Sequence, residues 1–191
     1  MDPILIEVPR EIETPRLLLR APQAGDGLML NRAVCDTLDE LKPWAAWAQK
    51  APTPEESESV CRRMHADFVL RTALDYFIVL KDGSDTAPRL LGVCNLHNID
   101  WLLRAFELGY WRRKGAGGQG YVSEAVQALT QLAFERFKAN RVELRCDERN
   151  TASRQVAVRS QFALEGILRR NAFTPDAKLR DTCVFSRLAD R

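Results

Sequence analysis

The stretch Glu107–Glu124, E-L-G-Y-W-R-R-K-G-A-G-G-Q-G-Y-V-S-E, constrains this chain more than any other. A strand-like run enters a loop carrying Gly115, Gly117, Gly118 and Gly120, and a strongly amphipathic helix pattern follows at once. Loops of this kind hold phosphates. Each peptide N–H is a donor, glycine lets the backbone approach closely, and the next helix N-terminus adds partial positive charge. Arg112, Arg113 and Lys114 stand at the entrance. A pyrophosphate-bearing cofactor is the natural guest.

The chain's 191 residues suffice for one domain with a sizeable core. A net charge of +2 argues against nucleic acid as the main partner. The basic clusters Arg112–Lys114 and Arg169–Arg170 can act locally or be solvated faces. The five cysteines include no C-x-x-C spacing and are odd in number, which argues against a disulfide framework or a zinc site; no metal is expected. His65 and His97 sit in no ligand motif, and each reads as a structural histidine. No apolar run approaches the roughly 18 residues of a membrane span. The start M-D-P-I-L-I-E-V-P-R lacks signal-peptide character, so a cytoplasmic protein is the default expectation.

Along the chain, Thr14–Arg20 reads as a first strand and Asp26–Leu41 as a helix. Thr53-Pro54-Glu55-Glu56 carries the signals of a helix start: a threonine cap, proline in the first turn, then acids. That helix is expected to run to about Thr72. Tyr76–Leu80 is a buried-strand run, Lys81–Pro88 holds an Asp82-Gly83 hairpin signal, and Leu90–Leu96 returns as a strand. Ala105–Trp111 is the strand before the glycine loop. Val122–Phe137 is the clearest helix, with apolar residues at three- and four-residue spacing. Arg141–Cys146 alternates, with Val142, Leu144 and Cys146 inward. A helix capped by Asn150 or Thr151 runs through about Phe162, and strands at Gly166–Arg170 and Thr182–Leu188 close the chain. The order predicts one mixed α/β domain spanning 1–191.

That order, with these motifs, resembles the GNAT acetyltransferase superfamily, and more closely its ribosomal-protein (Rim-type) N-terminal acetyltransferases. Ile12–Arg20 (I-E-T-P-R-L-L-L-R) looks like the family's first strand. Leu41–Ala48 looks like its L-x-P-W-x-x-W-A segment, and Glu107–Trp111 like its E-L-G-Y-W strand. Gly118-Gln119-Gly120-Tyr121 with Ser123-Glu124-Ala125 matches the loop and helix start. Asn150–Ser153, Phe162–Gly166 and Asp181–Ser186 match later motifs. Two positions depart: Gly115 stands where the family loop has glutamine or arginine, and Gln161 replaces a helix-ending glycine that often needs positive φ.

The resemblance implies a twisted mixed sheet with helices on both faces, and acetyl-CoA as donor. Amides of Gly115, Ala116, Gly117, Gly118, Gln119, Gly120 and Tyr121 would grip the pyrophosphate, flanked by Arg112, Arg113 and Lys114. The backbone of Leu108, Gly109, Tyr110 and Trp111 would pair with the pantetheine arm like an added strand, with Asn150 opposite. Acyl transfer to an amine needs a proton acceptor, oxyanion stabilisation and a leaving thiolate. Glu107 is the candidate base, with a water relay as the alternative. Ser153 is the candidate acid, with Tyr110 and Tyr121 behind it. Trp44, Trp47 and Trp101 are candidate walls of the acceptor pocket, and core packing is the other reading of each. Asp100 could meet a cationic amine or simply close a turn. The implied reaction is acetyl transfer to a primary amine, foremost the α-amine of a protein N-terminus such as a ribosomal protein. A small-molecule amine acceptor, or a non-catalytic acyl-CoA-binding module, are the alternatives. The partner expectations are acetyl-CoA and the acceptor, without nucleic acid or membrane, in a monomer or homodimer.

Overall fold

The structure, a computed structural model, describes residues 2–81 and 89–189. The hairpin signal at Asp82-Gly83 lies outside the described residues. Among the described residues, eight strands form one sheet in the order β1-β2-β3-β4-β5-β6-β8-β7. They are β1 (Glu11–Glu13), β2 (Leu17–Arg20), β3 (Leu74–Leu80), β4 (Leu90–Asp100), β5 (Ala105–Arg112), β6 (Arg141–Asp147), β7 (Ala163–Phe173) and β8 (Leu179–Leu188). Flanking them are the α-helices α1 (Gly27–Leu41), α2 (Pro54–Leu70), α3 (Tyr121–Glu135) and α4 (Thr151–Arg159). The mixed α/β architecture with helices on both faces agrees with the expectation. Among the described residues no helix is long and apolar enough to cross a membrane.

The sheet separates two cores. On one face Val122, Val126, Leu129 and Ala133 of α3 pack on Leu96, Phe106, Leu108, Val142 and Leu144. On the other, Leu30, Ala33 and Val34 of α1 and Cys61 of α2 pack on Phe77, Val79, Leu90 and Val93. Burying such side chains contributes roughly 25 cal/mol per Å² of apolar surface, which sets the inward faces of the central strands β2 to β6.

Local signals place the helices. At α2 the Thr53 hydroxyl accepts from Glu56 N at 3.1 Å and the Glu56 carboxylate accepts from Thr53 N at 2.8 Å, a complete capping box. The first strand is broken rather than continuous. Pro15 lacks a ladder donor, and Thr14 closes a turn on Leu17, donating its N–H to Leu17 O at 2.9 Å and accepting from Leu17 N at 2.9 Å. The chain therefore folds back, and β1 pairs with β2 as a short antiparallel hairpin.

One latch ties β2 to the start of α3. Glu124 accepts from the Thr14 hydroxyl at 2.6 Å and from Arg16 N at 3.0 Å, and pairs with the Arg16 guanidinium at 2.6 Å. Arg16 also donates to Gln119 O at 2.8 Å, which secures the glycine loop from below. Partial burial pushes the Glu124 carboxyl up, but the hydrogen bonds from Thr14 and Arg16 outweigh it and hold the pKa below its ordinary value. A depressed carboxylate stabilises the fold above its unfolded pKa and loses that contribution as pH falls through its folded pKa. Glu124→Gln is therefore expected to lower the melting temperature at pH 7. The gap to wild type should close as pH drops below about 4; a gap constant from pH 7 to 3 would refute the latch.

The replaced glycine at the end of α4 has the consequence its position implies. Gln161 is exposed and holds φ at 65°, the left-handed region that disfavours a Cβ. Gln161→Gly is expected to raise unfolding stability by about 1 kcal/mol in urea titration, after the extra freedom of glycine in the unfolded chain is discounted.

Candidate active site

The site grows from one irregularity of the sheet. Parallel β5 and β6 pair only through Ala105↔Arg141, Phe106↔Val142 and Glu107↔Glu143. Beyond Glu107 the two strands diverge. β5 remains paired to β4 as far as Arg112, while β6 stays with β8. One edge of Leu108–Arg112 is thus left without a strand partner in the middle of a sheet. A cleft of about 600 Å³ opens there. It is lined by Gly109, Tyr110, Trp111 and Arg112 from β5, Arg145, Cys146 and Asp147 from β6, and Asn150 and Ser153 from α4.

At the upper end of β5 the glycine loop folds over. Gly115, Gly118 and Gly120 have φ of 81°, 75° and 76°, conformations that suit glycine. Gly120 occupies the cap position of α3 with no side-chain cap, so the first amides of the helix stay available to an anion. The loop entrance is tied to α1 by two side chains and one backbone amide. Arg112 pairs with Glu40 at 3.0 Å, Arg113 pairs with Asp36, and Lys114 N donates to the Thr37 hydroxyl at 2.9 Å. The Arg112 guanidinium also lies against Gly117, where a Cβ would stand 3.2 Å from Cζ. These observations fit a diphosphate group, with the grip coming from backbone amides.

On the α3–α4 face, the Tyr110 hydroxyl lies 2.7 Å from Ser153 Oγ and 3.1 Å from Ser153 O. Burial pushes the Tyr110 phenol well above its ordinary range, so it stays protonated and able to donate. Burial likewise pushes the Cys146 thiol up to about 11, which leaves it a neutral wall. Asn150 caps α4, its Oδ1 accepting from Ser153 N at 3.0 Å, which leaves its Nδ2 donor beside the cleft.

The α1–α2 face carries aromatic side chains. Trp44 and Trp47 line the cleft and are exposed, and the Trp47 and Trp111 rings lie 6.2 Å apart. Trp101 is not among the lining residues. Its ring packs edge-on to Phe106 at 5.2 Å and Phe137 at 5.6 Å, and its Nε1 donates to Arg71 O at 3.0 Å. Asp100 closes a turn, accepting from Leu102 N at 2.9 Å and Leu103 N at 2.8 Å. Tyr121 sits at the loop under the Arg16 guanidinium, 4.8 Å from the ring centroid.

Glu107 lies at the foot of the divergence, outside the cleft lining proper. Asn98 Nδ2 donates to its Oε2 at 2.8 Å, and His97 Nε2 stands 3.5 Å from its Oε1. Contact with His97, with help from Asn98 and Arg145, holds the Glu107 carboxyl below the ordinary range despite partial burial. It is a carboxylate at neutral pH.

Asp75 and Asn95 are among the cleft residues that the sequence does not single out. Asn95 Nδ2 donates to Asp75 Oδ1 at 2.9 Å. Burial pushes the Asp75 carboxyl up, against that hydrogen bond, and the charge of Asp67 adds to the rise. The one signal in the sequence was an acid set inside the buried strand L-D-Y-F-I-V-L. Its cleft neighbours are up to some dozens of residues away, so spacing says nothing of them.

Comparison with known proteins agrees with this geometry. Residues 16–163 match the acetyltransferase (GNAT) domain family. The ribosomal-protein-serine acetyltransferase of Escherichia coli K12 is 30% identical over 163 residues, covering 84% of this chain and 86% of that protein. The solved structure of RimL, a ribosomal L7/L12 alpha-N-protein acetyltransferase in complex with coenzyme A, superposes with a TM-score of 0.85 at 25% identity. It covers 94% of this chain and 98% of that one. The microcin C7 self-immunity acetyltransferase MccE, solved with acetyl-CoA and AMP, shares the fold with a TM-score of 0.87 at 22% identity, covering 95% and 98%. The chain belongs to the GNAT acetyltransferase family and is an N-acetyltransferase whose relatives are of the Rim type.

Proposed function

We propose that the cleft binds acetyl-CoA and that the acceptor is the α-amine of a protein N-terminus, a ribosomal protein foremost, handled by one catalytic unit spanning 1–191. The observation that carries this reading is the unpaired edge of Leu108–Arg112 beside a glycine loop with open helix amides. An amide-bearing arm can satisfy that edge as an added strand would. The names of the Rim-type relatives support the acceptor class.

In this scheme amides of Ala116–Tyr121 hold the pyrophosphate. Backbone of Leu108–Trp111 and the Asn150 amide hold the arm, and a β5 N–H faces the developing oxyanion. Acetyl-CoA supplies an activated acyl group as its thioester. Tyr110 and Ser153 share a short hydroxyl–hydroxyl contact that can pass a proton toward the departing sulfur. Glu107 supplies the negative charge on the base side. Trp44, Trp47 and Trp111 wall the acceptor's approach.

The second reading, a small-molecule amine as acceptor, is favoured by one observation: three tryptophans border the cleft, a wall suited to a flat apolar body. Turnover with peptides bearing free α-amines against a panel of small primary amines separates the two. A preference for small amines by kcat/KM would overturn the peptide reading.

Acetyl-CoA at about a hundred times its Kd is expected to stabilise the fold by about 2.7 kcal/mol, read as a rise in melting temperature that NAD and ATP do not reproduce. No rise would defeat the cofactor assignment. Tyr110→Phe and Ser153→Ala are each expected to lower kcat by about 10- to 100-fold with KM for acetyl-CoA little changed. Because both belong to one hydroxyl pair, the double variant should lose little more than either single one. Full additivity in kcat would show that they act separately.

A further inference from the structure

The cleft is lined by the carboxylates of Glu40, Asp75 and Asp147. Two of them already hold a cation: Glu40 pairs with Arg112 at 3.0 Å and Asp147 with Arg149 at 2.7 Å. Asp75 holds none. Asn95 Nδ2 donates to its Oδ1 at 2.9 Å, and among the described residues no lysine or arginine pairs with it. The residue is only 4% exposed, yet it lines the cleft. Its Oδ2 has no partner among the described residues and is not one of the fully enclosed polar atoms, so that oxygen keeps surface on the cleft. A carboxylate held at such a place without a counter-charge is costly, and an apolar side chain would fill the position at less cost. The fold keeps an acid there, among neighbours on the same face that are Phe77, Val79 and Val93.

Strand alternation and register place this oxygen. Leu74 and Tyr76 turn to the α3 core, so Asp75 faces α1 and α2 with Phe77 and Val79. Asp75 pairs with Asn95, and Asn95 with Gly109, so one row crosses the sheet from β3 to β5. Asn95 closes over Gly109, where a Cβ would stand 2.6 Å from its Oδ1, and its amide N–H fixes Asp75 Oδ1. Neighbouring strands lie about 4.8 Å apart, which sets Asp75 on the order of 10 Å from the open edge of β5. On the other side of the opening the charge reverses. Arg145 of β6 and Arg180 of β8 line the cleft there, Arg145 paired with Glu143 and Arg180 acting on Asp147. A cation entering the cleft is repelled at the β8 end and drawn to the β3 end.

We propose that Asp75 sets acceptor specificity by binding a cationic side chain, a lysine or arginine among the first residues of the acceptor peptide, set back from the reacting α-amine. This rests on the peptide-acceptor reading above. The reach agrees with it: an extended chain advances about 3.4 Å per residue, so a long basic side chain on one of the first three residues spans the distance from the opening to β3. Its apolar stem has Trp47 and Trp111 to lie against, and its head meets Oδ2 of Asp75. The arriving charge supplies the partner that Asp75 lacks, and the hydrogen bond it makes is charge-assisted. Asp75 touches no reacting atom in this arrangement, so it acts on which acceptor binds and leaves the acetyl-transfer step to the residues around β5 and α4.

The test uses the full chain and pairs of peptides with a free α-amine that differ only in arginine or citrulline at the first, second or third residue. Citrulline keeps the shape and removes the charge, and neither side chain adds a second amine to acetylate. At one of the three positions the arginine peptide is expected to have the higher kcat/KM by about 10- to 100-fold, mostly through a lower KM. In Asp75→Asn, which keeps the shape of the side chain, that ratio should fall to about one while the melting-temperature rise with acetyl-CoA is kept. The wild-type comparison needs no variant, so the inference stays open to refutation even if Asp75→Asn folds poorly. Equal kcat/KM for arginine and citrulline at all three positions, or a ratio that survives in Asp75→Asn, would overturn it and leave the peptide-acceptor reading standing. If acetyl-CoA stabilises the fold but no peptide is acetylated, the peptide-acceptor reading fails and takes this inference with it.

Discussion

The divergence of β5 from β6 is the constraint on which the rest depends. Parallel strands normally satisfy each other along their whole length, because backbone N–H and C=O groups tolerate burial only when paired. Here the pairing stops at Glu107 and Glu143, and five residues of β5 keep one free edge. That edge is stable because it faces a cleft instead of a core, and because β4 holds the other side through Arg112. The opening also sets where everything else must stand. The glycine loop follows directly from the top of β5, and α4 begins directly after the top of β6. The placing of the glycine loop and of the hydroxyl pair beside one cleft follows from that single gap.

The two faces of β5 divide the work through simple alternation. Leu108 points to the α3 core and Tyr110 to Ser153 of α4, while Glu107, Gly109 and Trp111 face the other way, toward α1 and α2. One strand therefore presents a hydroxyl donor on one side and, on the other, a glycine closely covered by Asn95 and His97. Carboxylates support this second side without entering it: Asp75 holds Asn95, and Glu107 holds Asn98 and faces His97. Their opposite shifts follow from surroundings. Asp75 is buried with one hydrogen bond and is pushed up; Glu107 has a histidine and an amide beside it and is held down.

Much of the fold was legible because its signals are local. The capping box at Thr53, the apolar stripe of α3 and the alternation of β6 all have causes within a few residues of themselves. Boundaries were less so. The strand expected over Thr14–Arg20 begins only at Leu17, with β1 ahead of it, since the Thr14–Leu17 turn depends on hydrogen bonds that a strand pattern does not reveal. β4 runs to Asp100 and β7 from Ala163 to Phe173, both through bulges that interrupt the expected periodicity. In the cleft, the β5 residues, Asn150, Ser153, Trp44 and Trp47 come together. Trp101 is turned to the Phe106–Phe137 cluster instead, a choice made by neighbours distant in sequence.

By itself the sequence determined the order of elements, the glycine loop with its open helix start, and the motif-bearing strand before it. These follow from backbone stereochemistry and hydrophobic periodicity, which act over a handful of residues. Only the tertiary structure decided where β5 and β6 part, which side of the sheet each polar group faces, and that Asp75, Asn95, Gly109 and His97 form one neighbourhood. Those outcomes depend on cross-strand register and on a one-residue bulge. A shift of one residue reverses the face of every side chain beyond it, and nothing in the local pattern of a short strand records that shift.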